Sequence, residues 1–216
     1  MKKAIVTWIR KQVKAAKVKG AVFGLSGGID SCVVAALLKE ALGPSRVLAL
    51  LLPCHSQAQD SKDAMLVAKR LGIRTRTIDL SKTYDTLLSV LPSASTLAKV
   101  NLRPRLRMMV LYYFANKLNY LVCGTGNKSE LMAGYFTKHG DGGVDILPIG
   151  SLLKRQVRAL ALELDIPEHI ITKPPTAGLW PGQTDEAEMG ITYQQLDDII
   201  DCLEKGKKQR QGSHNV

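Results

Sequence analysis

The stretch AVFGLSGGIDSCVVAALLKE, residues 21–40, constrains the fold more than any other part of the chain. Ala21 to Leu25 is an apolar run that reads as a strand buried on both faces, and Ser26-Gly27-Gly28 reads as a tight turn. Asp30 to Leu42 then reads as a helix stopped by Gly43-Pro44. A strand buried on both faces needs helices above and below it, which is the setting of a parallel sheet. The alternation continues. Val47 to Leu52 is a second strand, Asp60 to Leu71 a helix closed by Gly72, and Arg74 to Leu80 a third strand. Ser81 to Leu91 and Leu97 to Leu118 read as helices, the second interrupted near Pro104, and Tyr120 to Cys123 as a fourth strand.

The expected class is therefore α/β: a Rossmann-like parallel sheet with helices on both faces, whose ligands bind beyond the carboxyl ends of the strands. Both glycine-containing turns, at 26–28 and 124–126, fall on that edge. Outside the alternation, Ile5, Trp8, Ile9 and Val13 recur at helical spacing and predict an amphipathic opening helix within residues 1–20. Residues 151–164 predict another helix, and Thr192 to Lys205 a last one before a flexible basic tail at 205–216. Thr172 to Ile191 is rich in Pro and Gly without any period, and a loop of that length in a compact domain is usually functional. No internal repeat is present, and 216 residues at 45% hydrophobic content suit a single domain over residues 1–216.

The formal charge of +11 raises the question of nucleic acid. Residues 1–20 hold seven Lys/Arg and no acid, and residues 205–216 hold four and no acid, so the remaining 19 basic and 19 acidic residues cancel. An excess confined to the two ends reads as solvated faces, and nucleic acid is not an expected partner. Cys32, Cys54, Cys123 and Cys202 show no C-x-x-C spacing, which speaks against zinc and disulfides; Cys32 and Cys123 sit in apolar runs as core residues. No secretory leader and no membrane-spanning run is seen, so a soluble cytoplasmic protein is expected.

A strand, a Gly-Gly turn and a helix start gather backbone N–H groups and the positive end of a helix around one point, which favours an anion such as phosphate. The bland alternative is a plain strand-to-helix turn with Ser26 or Asp30 as the cap. Two features sharpen the reading. The Gly-Lys-Ser/Thr ending of a Walker A loop is missing, and an acid, Asp30, stands where a simple phosphate cradle would repel its ligand. An acid beside bound phosphates makes sense if it holds magnesium.

The turn resembles the S-G-G-x-D-S loop of the N-type ATP pyrophosphatases, of adenine nucleotide alpha hydrolase-like fold, which hold departing pyrophosphate while AMP is transferred to an acceptor. Further stretches select a member. NLRPRLRMMVLYYFAN at 101–116, CGTGNKSE at 123–130, GYFTKHGDGGVDILPIGSLLKRQVRALA at 134–161 and PPTAGLWPGQTDEAEMGITYQQLD at 174–197 resemble, in that order, the later signatures of NAD synthetases. The resemblance covers nearly everything from residue 21 to 204 and implies an ammonia-dependent catalytic domain without a fused amidase. The implied reaction is ATP-dependent amidation of nicotinic acid adenine dinucleotide (deamido-NAD) to NAD, through an adenylated carboxylate, with AMP and pyrophosphate released. Positioning and neutralisation of charge would carry most of the rate.

By the same resemblance ATP contacts Gly24, Leu25, Ser26, Gly27, Gly28, Ile29, Asp30 and Ser31, together with Thr125, Lys154 and Thr176. Magnesium falls to Asp30 and Glu130, and Asp30 and Lys154 carry the catalytic roles. Deamido-NAD falls to Arg105, Lys138 and Asp145. Arg105 and Arg107 lie two apart and cannot face one ligand from one helix, so the expectation rests on Arg105. The loop holding Thr176 would close over the site and exclude water. A homodimer is implied, with Leu106, Met109, Val110, Tyr113 and Phe114 as an interface stripe that core packing explains equally well. One departure concerns the tail: the family commonly ends in a His-Lys pair, whereas His214 is followed by Asn215, and His214 is left out of the site. His55, His139 and His169 show no partner spacing.

Two rivals remain. A tRNA-modifying ATP pyrophosphatase would use the basic ends for RNA, but its cysteine pair is not apparent. A non-catalytic ATP-binding module has no need of both paired acids and the long loop.

Overall fold

Apolar character on both faces puts β1 (Gly20–Gly24) at the centre of the sheet, with its first four residues buried. A computed structural model describes residues 1–178, 180 and 182–212. After α1 (Lys2–Ala15) and β1 come α2 (Ile29–Leu42), β2 (Val47–Leu51), α3 (Ala58–Leu71), β3 (Arg74–Thr77), α4 (Ser81–Val90), α5 (Thr96–Val100), α6 (Leu102–Leu118) and β4 (Tyr120–Cys123). The remainder is helical: α7 (Lys128–Ala133), α8 (Lys154–Glu163), α9 (Glu168–Ile171), α10 (Asp185–Met189) and α11 (Tyr193–Gly212).

The sheet order is β3-β2-β1-β4, and each neighbouring pair is parallel. Ala21 lies beside Val47 on one side and Leu121 on the other. Alternation along the strands then sorts side chains between two cores. Ala21, Phe23, Val47 and Ala49 pack with residues of α1, α2, α3 and α8, while Val22, Leu48 and Leu50 pack with residues of α4 and α6. The expected layered α/β architecture is what the chain forms, and β1 ends at its carboxyl edge in the glycine turn at 26–28.

Local departures have local causes. β3 stops at Thr77, but Leu80 N still bonds to Pro53 O at 2.8 Å and holds the chain against β2. The long helix splits at Asn101, and Pro104 falls in the first turn of α6, where its missing N–H costs nothing. In α1, Ile5, Val6, Ile9 and Val13 are buried, whereas Trp8 is 37% exposed, so the buried face is turned slightly from the expected stripe. The last helix extends to Gly212, past the expected end at Lys205, so the tail is helical up to that residue. His214 lies outside the described residues.

The amino edge of the sheet carries a tie between its two outer strands. A Cβ on Gly20 would lie 2.8 Å from the Tyr120 ring and 2.2 Å from Arg46 O. Glycine there lets the Tyr120 ring pass, and the Tyr120 hydroxyl, on β4, accepts a hydrogen bond from Arg74 Nη2, on β3, at 2.7 Å. Among the described residues, no helix is long and apolar enough to cross a membrane.

Candidate active site

The turn after β1 engages two of its N–H groups with its own serines, Ser26 N donating to Ser31 Oγ at 3.2 Å and Gly28 N to Ser26 Oγ at 3.3 Å. Gly28 caps α2 without a side-chain bond, and the first helical bond runs from Cys32 N to Gly28 O at 3.1 Å. Neither Ser26 nor Asp30 is the cap. Ser26 and Ser31 instead brace the turn, their hydroxyls 3.1 Å apart, with Ser31 Oγ donating to Gly28 O at 2.9 Å. Gly27 has φ +85°, and a Cβ there would lie 2.3 Å from Asp60 O. Only glycine fits, because that backbone region is strained for other residues and α3 is packed against the turn.

The second strand end brings acids to the same place. After β4, a Cβ on Gly124 would meet Val144 and Leu147 at 2.6 and 2.7 Å, so the chain must pass there without a side chain. Asn127 begins α7 with a reciprocal cap: its side chain accepts from Glu130 N at 3.0 Å, and Glu130 Oε2 accepts from Asn127 N at 3.1 Å. The same Asn127, fully buried, donates from Nδ2 to Asp30 Oδ1 at 3.0 Å. One amide therefore orients both expected metal-binding carboxylates. Sequence reading passed over Asn127, although the Asn-x-x-Glu spacing of a capping box was there to be seen.

Lys154, the first residue of α8, fills the space between the acids. Its Nζ lies 2.6 Å from Asp30 Oδ2 and 3.3 Å from Glu130 Oε1, and its side chain is 1% exposed. The Tyr193 ring stands 4.6 Å from that ammonium, and the Tyr193 hydroxyl lies 3.0 Å from Asp185 Oδ2 and 3.2 Å from Glu130 Oε1. The start of α8 is held from α7 and α11. Ser129 Oγ accepts from Lys154 N, and buried Asp197 accepts from Arg155 N, both at 2.9 Å. Burial and the Asp30 charge push the Glu130 carboxyl up to about 7, against the pull of Lys154. Burial disfavours the Lys154 charge, but Asp30 and Glu130 outweigh it and hold the ammonium up at about 12.

Two carboxylates from different helices thus already turn oxygens towards one buried cation. Oxygen donors of that kind fit magnesium, which takes one or two carboxylates and completes its shell with phosphate and water. Among the described residues no group of three or more His, Cys, Asp or Glu is gathered for a metal.

Asp30, Glu130 and Lys154 line a cavity of about 500 Å³. Its wall includes Gly24, Leu25, Ser26, Gly28, Ile29, Asp30 and Ser31 from the turn, with Thr125, Glu130, Lys154 and Thr176. The loop carrying Thr176 is tied down at its start, where Lys173 Nζ meets Asp60 Oδ1 at 2.6 Å and Asp63 Oδ2 at 3.2 Å. Near its end, Tyr135 Oη bonds to Glu188 Oε2 at 2.7 Å.

The family model for NAD synthase matches residues 1–215. The chain is 50% identical to the NH(3)-dependent NAD(+) synthetase of Carboxydothermus hydrogenoformans, over 91% of this chain and 82% of that one. It is also 50% identical to the NH(3)-dependent NAD(+) synthetase of Archaeoglobus fulgidus, over 94% of this chain and 83% of that one. This chain belongs to the NAD synthase family. Among solved structures, NMN synthetase from Francisella tularensis superposes with TM-score 0.89 at 44% identity, over 93% of this chain and 84% of that one. The NH3-dependent NAD synthetase of Campylobacter jejuni, in complex with the nitrate ion, superposes with TM-score 0.82 at 32% identity, over 98% and 85%.

In this NAD synthase-family chain the residues expected to meet the dinucleotide are placed differently from those expected to meet ATP. Arg105, Lys138 and Asp145 do not line the cavity, whereas Arg107 does. Arg105 Nε donates to Lys138 O at 3.1 Å, so these two are neighbours. Asp145 accepts from Tyr112 Oη at 2.9 Å and from Val122 N at 2.7 Å, which engages both of its oxygens within the chain. The expected interface stripe also divides: Leu106 and Phe114 are buried, while Met109 and Tyr113 are 68% and 60% exposed. His55, His139 and His169 are exposed. Cys32 and Cys123 are core residues, as expected, and Cys54 is buried as well.

Proposed function

We propose that the chain amidates the carboxylate of a nicotinate nucleotide, deamido-NAD, with ammonia at the expense of ATP. The carboxylate oxygen attacks the α-phosphorus of ATP, the bond to the bridging oxygen breaks, and pyrophosphate leaves. Ammonia then attacks the carbonyl carbon of the acyl adenylate, AMP departs with the bonding pair, and the excess proton is lost to solvent. The observation that carries the reading is the convergence of an uncapped glycine turn, Asp30, Glu130 and Lys154 in one cavity wall.

Magnesium bound by Asp30 and Glu130 would offset charge on the phosphates. The turn's N–H groups hold the departing pyrophosphate, with Thr125 and Thr176 as further ATP contacts. Lys154 is the internal cation that transfers its charge from the two acids to phosphate oxygens when nucleotide enters. Asn127 keeps both acids in position, and the 174–191 loop limits water at the adenylate. Arg105, Lys138 and Asp145 stand outside the cavity wall and would meet deamido-NAD beside it, where a second copy in a homodimer would help to enclose the ligand. Exposed Met109 and Tyr113 on α6 support that dimer, and light scattering tests it. The reaction belongs in the cytoplasm, where its reactants are, and the free cysteines agree.

Product analysis with ATP, magnesium, ammonium and deamido-NAD, each omitted in turn, tests the function. NAD, AMP and pyrophosphate are expected, and ADP with phosphate would overturn it. A second reading is favoured by the 44% identity to an NMN synthetase: the carboxylate could belong to nicotinate mononucleotide. Running both acceptors side by side separates the two by kcat/KM.

A further inference from the structure

We propose that Arg107 is a substrate-binding residue that takes a phosphate group of a nucleotide in the cavity. The proposal rests on the ligase reading for the identity of the nucleotides. Among the described residues, Lys154, Lys173 and Arg107 are the cations of the cavity wall. Lys154 is engaged by Asp30 and Glu130, and Lys173 by Asp60 and Asp63. Arg107 differs from both. Its Nε donates to Leu52 O at 3.0 Å and its Nη2 to Ser56 Oγ at 3.4 Å, and among the described residues no carboxylate oxygen lies within 4.0 Å of it.

A half-buried guanidinium without an ion pair is costly, and the cost is offset if a ligand brings the missing charge. Burial lowers its affinity for the proton, and Arg103, one turn earlier on α6, adds repulsion, while Asp141 and Asp60 attract it only at longer range. The head group is nevertheless fixed. Two of its five N–H donors are used, and the remaining planar fork suits a phosphate through parallel bonds.

The anchor point narrows the ligand. Leu52 follows directly on β2, and β2 is the neighbour of the strand that carries the anion turn, about 4.8 Å away. A polyphosphate held at its outer end by residues 26–31 would bring an inner phosphate, or the phosphate of the second nucleotide, towards that position. The reacting carboxylate is the wrong partner, because an arginine fork would tie up the lone pair it needs for attack. The shared chemistry is a nucleotide phosphate, and its two sources are ATP and the pyridine nucleotide.

The test uses Arg107→Gln and Arg107→Lys in the full chain. KM is measured for each nucleotide separately, with calorimetric titration of ATP alone and deamido-NAD alone, and thermal melts as a check on folding. Arg107→Gln is expected to raise one of the two KM values about tenfold or more with a much smaller change in kcat, and the nucleotide affected names the source. Arg107→Lys should recover part of the loss, since it restores charge without the fork. Both affinities within about twofold of wild type in a folded variant would overturn the proposal, as would a fall in kcat alone. If Arg107→Gln does not fold, Arg107→Lys decides by the same criterion. A wild-type chain that makes no AMP and pyrophosphate would fail the ligase reading instead, while calorimetry would still report on Arg107.

Discussion

Replacing Lys154 by Met removes the one cation between Asp30 and Glu130 while nearly keeping the side chain's volume. The lysine side chain is 1% exposed and the two acids are 18% and 16% exposed, so little water is at hand to replace its charge. Breaking a buried ion pair from one side costs about 3–5 kcal/mol, and the residual exposure of the acids places this case near the lower end, about 3 kcal/mol. For a chain of this size that corresponds to a melting temperature roughly 6–12 °C lower. The loss should depend on pH, with a sign set by Glu130. Its folded-state pKa, raised from 4.5 to about 7, rises further once the lysine is gone, because Lys154 is the larger of the two influences that lower it, the other being the Asn127 N–H. A carboxyl raised in the folded state contributes stability that is full below 4.5 and fades as pH climbs through the folded value. The deficit of Lys154→Met against wild type should therefore be small near about pH 5.5 and large near about pH 8.5. Thermal unfolding followed by far-UV circular dichroism, without nucleotide or divalent metal, reads it directly. A second change, Glu130→Gln, should recover most of the alkaline loss. Deficits below about 1 kcal/mol that are equal at both pH values would show that the ammonium is not committed to the two acids.

Asp30→Asn and Glu130→Gln should each abolish magnesium-dependent turnover while the far-UV spectrum stays native; unchanged rates in both would place the metal elsewhere. Gly27→Ala forces a Cβ to within 2.3 Å of Asp60 O at φ +85°, so calorimetry should find ATP binding lost and melts a cost of about 1–3 kcal/mol. Unaltered ATP affinity would mean that the turn is not the phosphate seat. Burial and the hydrogen bond to Asp145 raise the Tyr112 hydroxyl from 10.0 to about 12. Stability from that contact is full below 10.0 and lost as pH rises through about 12, so Tyr112→Phe should flatten the alkaline end of a melting-temperature profile. A wild-type-like profile would rule the contact out as its cause.

The order of elements and the parallel sheet were legible because Ala21 to Leu25 and Val47 to Leu52 are apolar on both faces, a local property of the chain. Asp30 stood out because an acid follows a glycine turn, whereas Glu130 came with the family resemblance, and the structure brings the two within reach of one lysine. What escaped depends on packing between distant segments. Asn127 reaches Asp30 across 97 positions, and no local pattern couples them. Arg105 and Arg107 could be separated by helical geometry, but which of the two turns to the cavity was decided by how α6 lies over β1 and β4. Ser129 and Asp197 hold the start of α8 through contacts that only the folded chain creates.

The Tyr120 ring that passes Gly20 joins the two outermost strands at the end of the sheet opposite the cavity. It acts as a crossbar, tying the amino ends of the two edge strands across the two strands between them. A methyl group at position 20 would lift that bar, and the first part to loosen would be the short, polar outer strand beginning at Arg74.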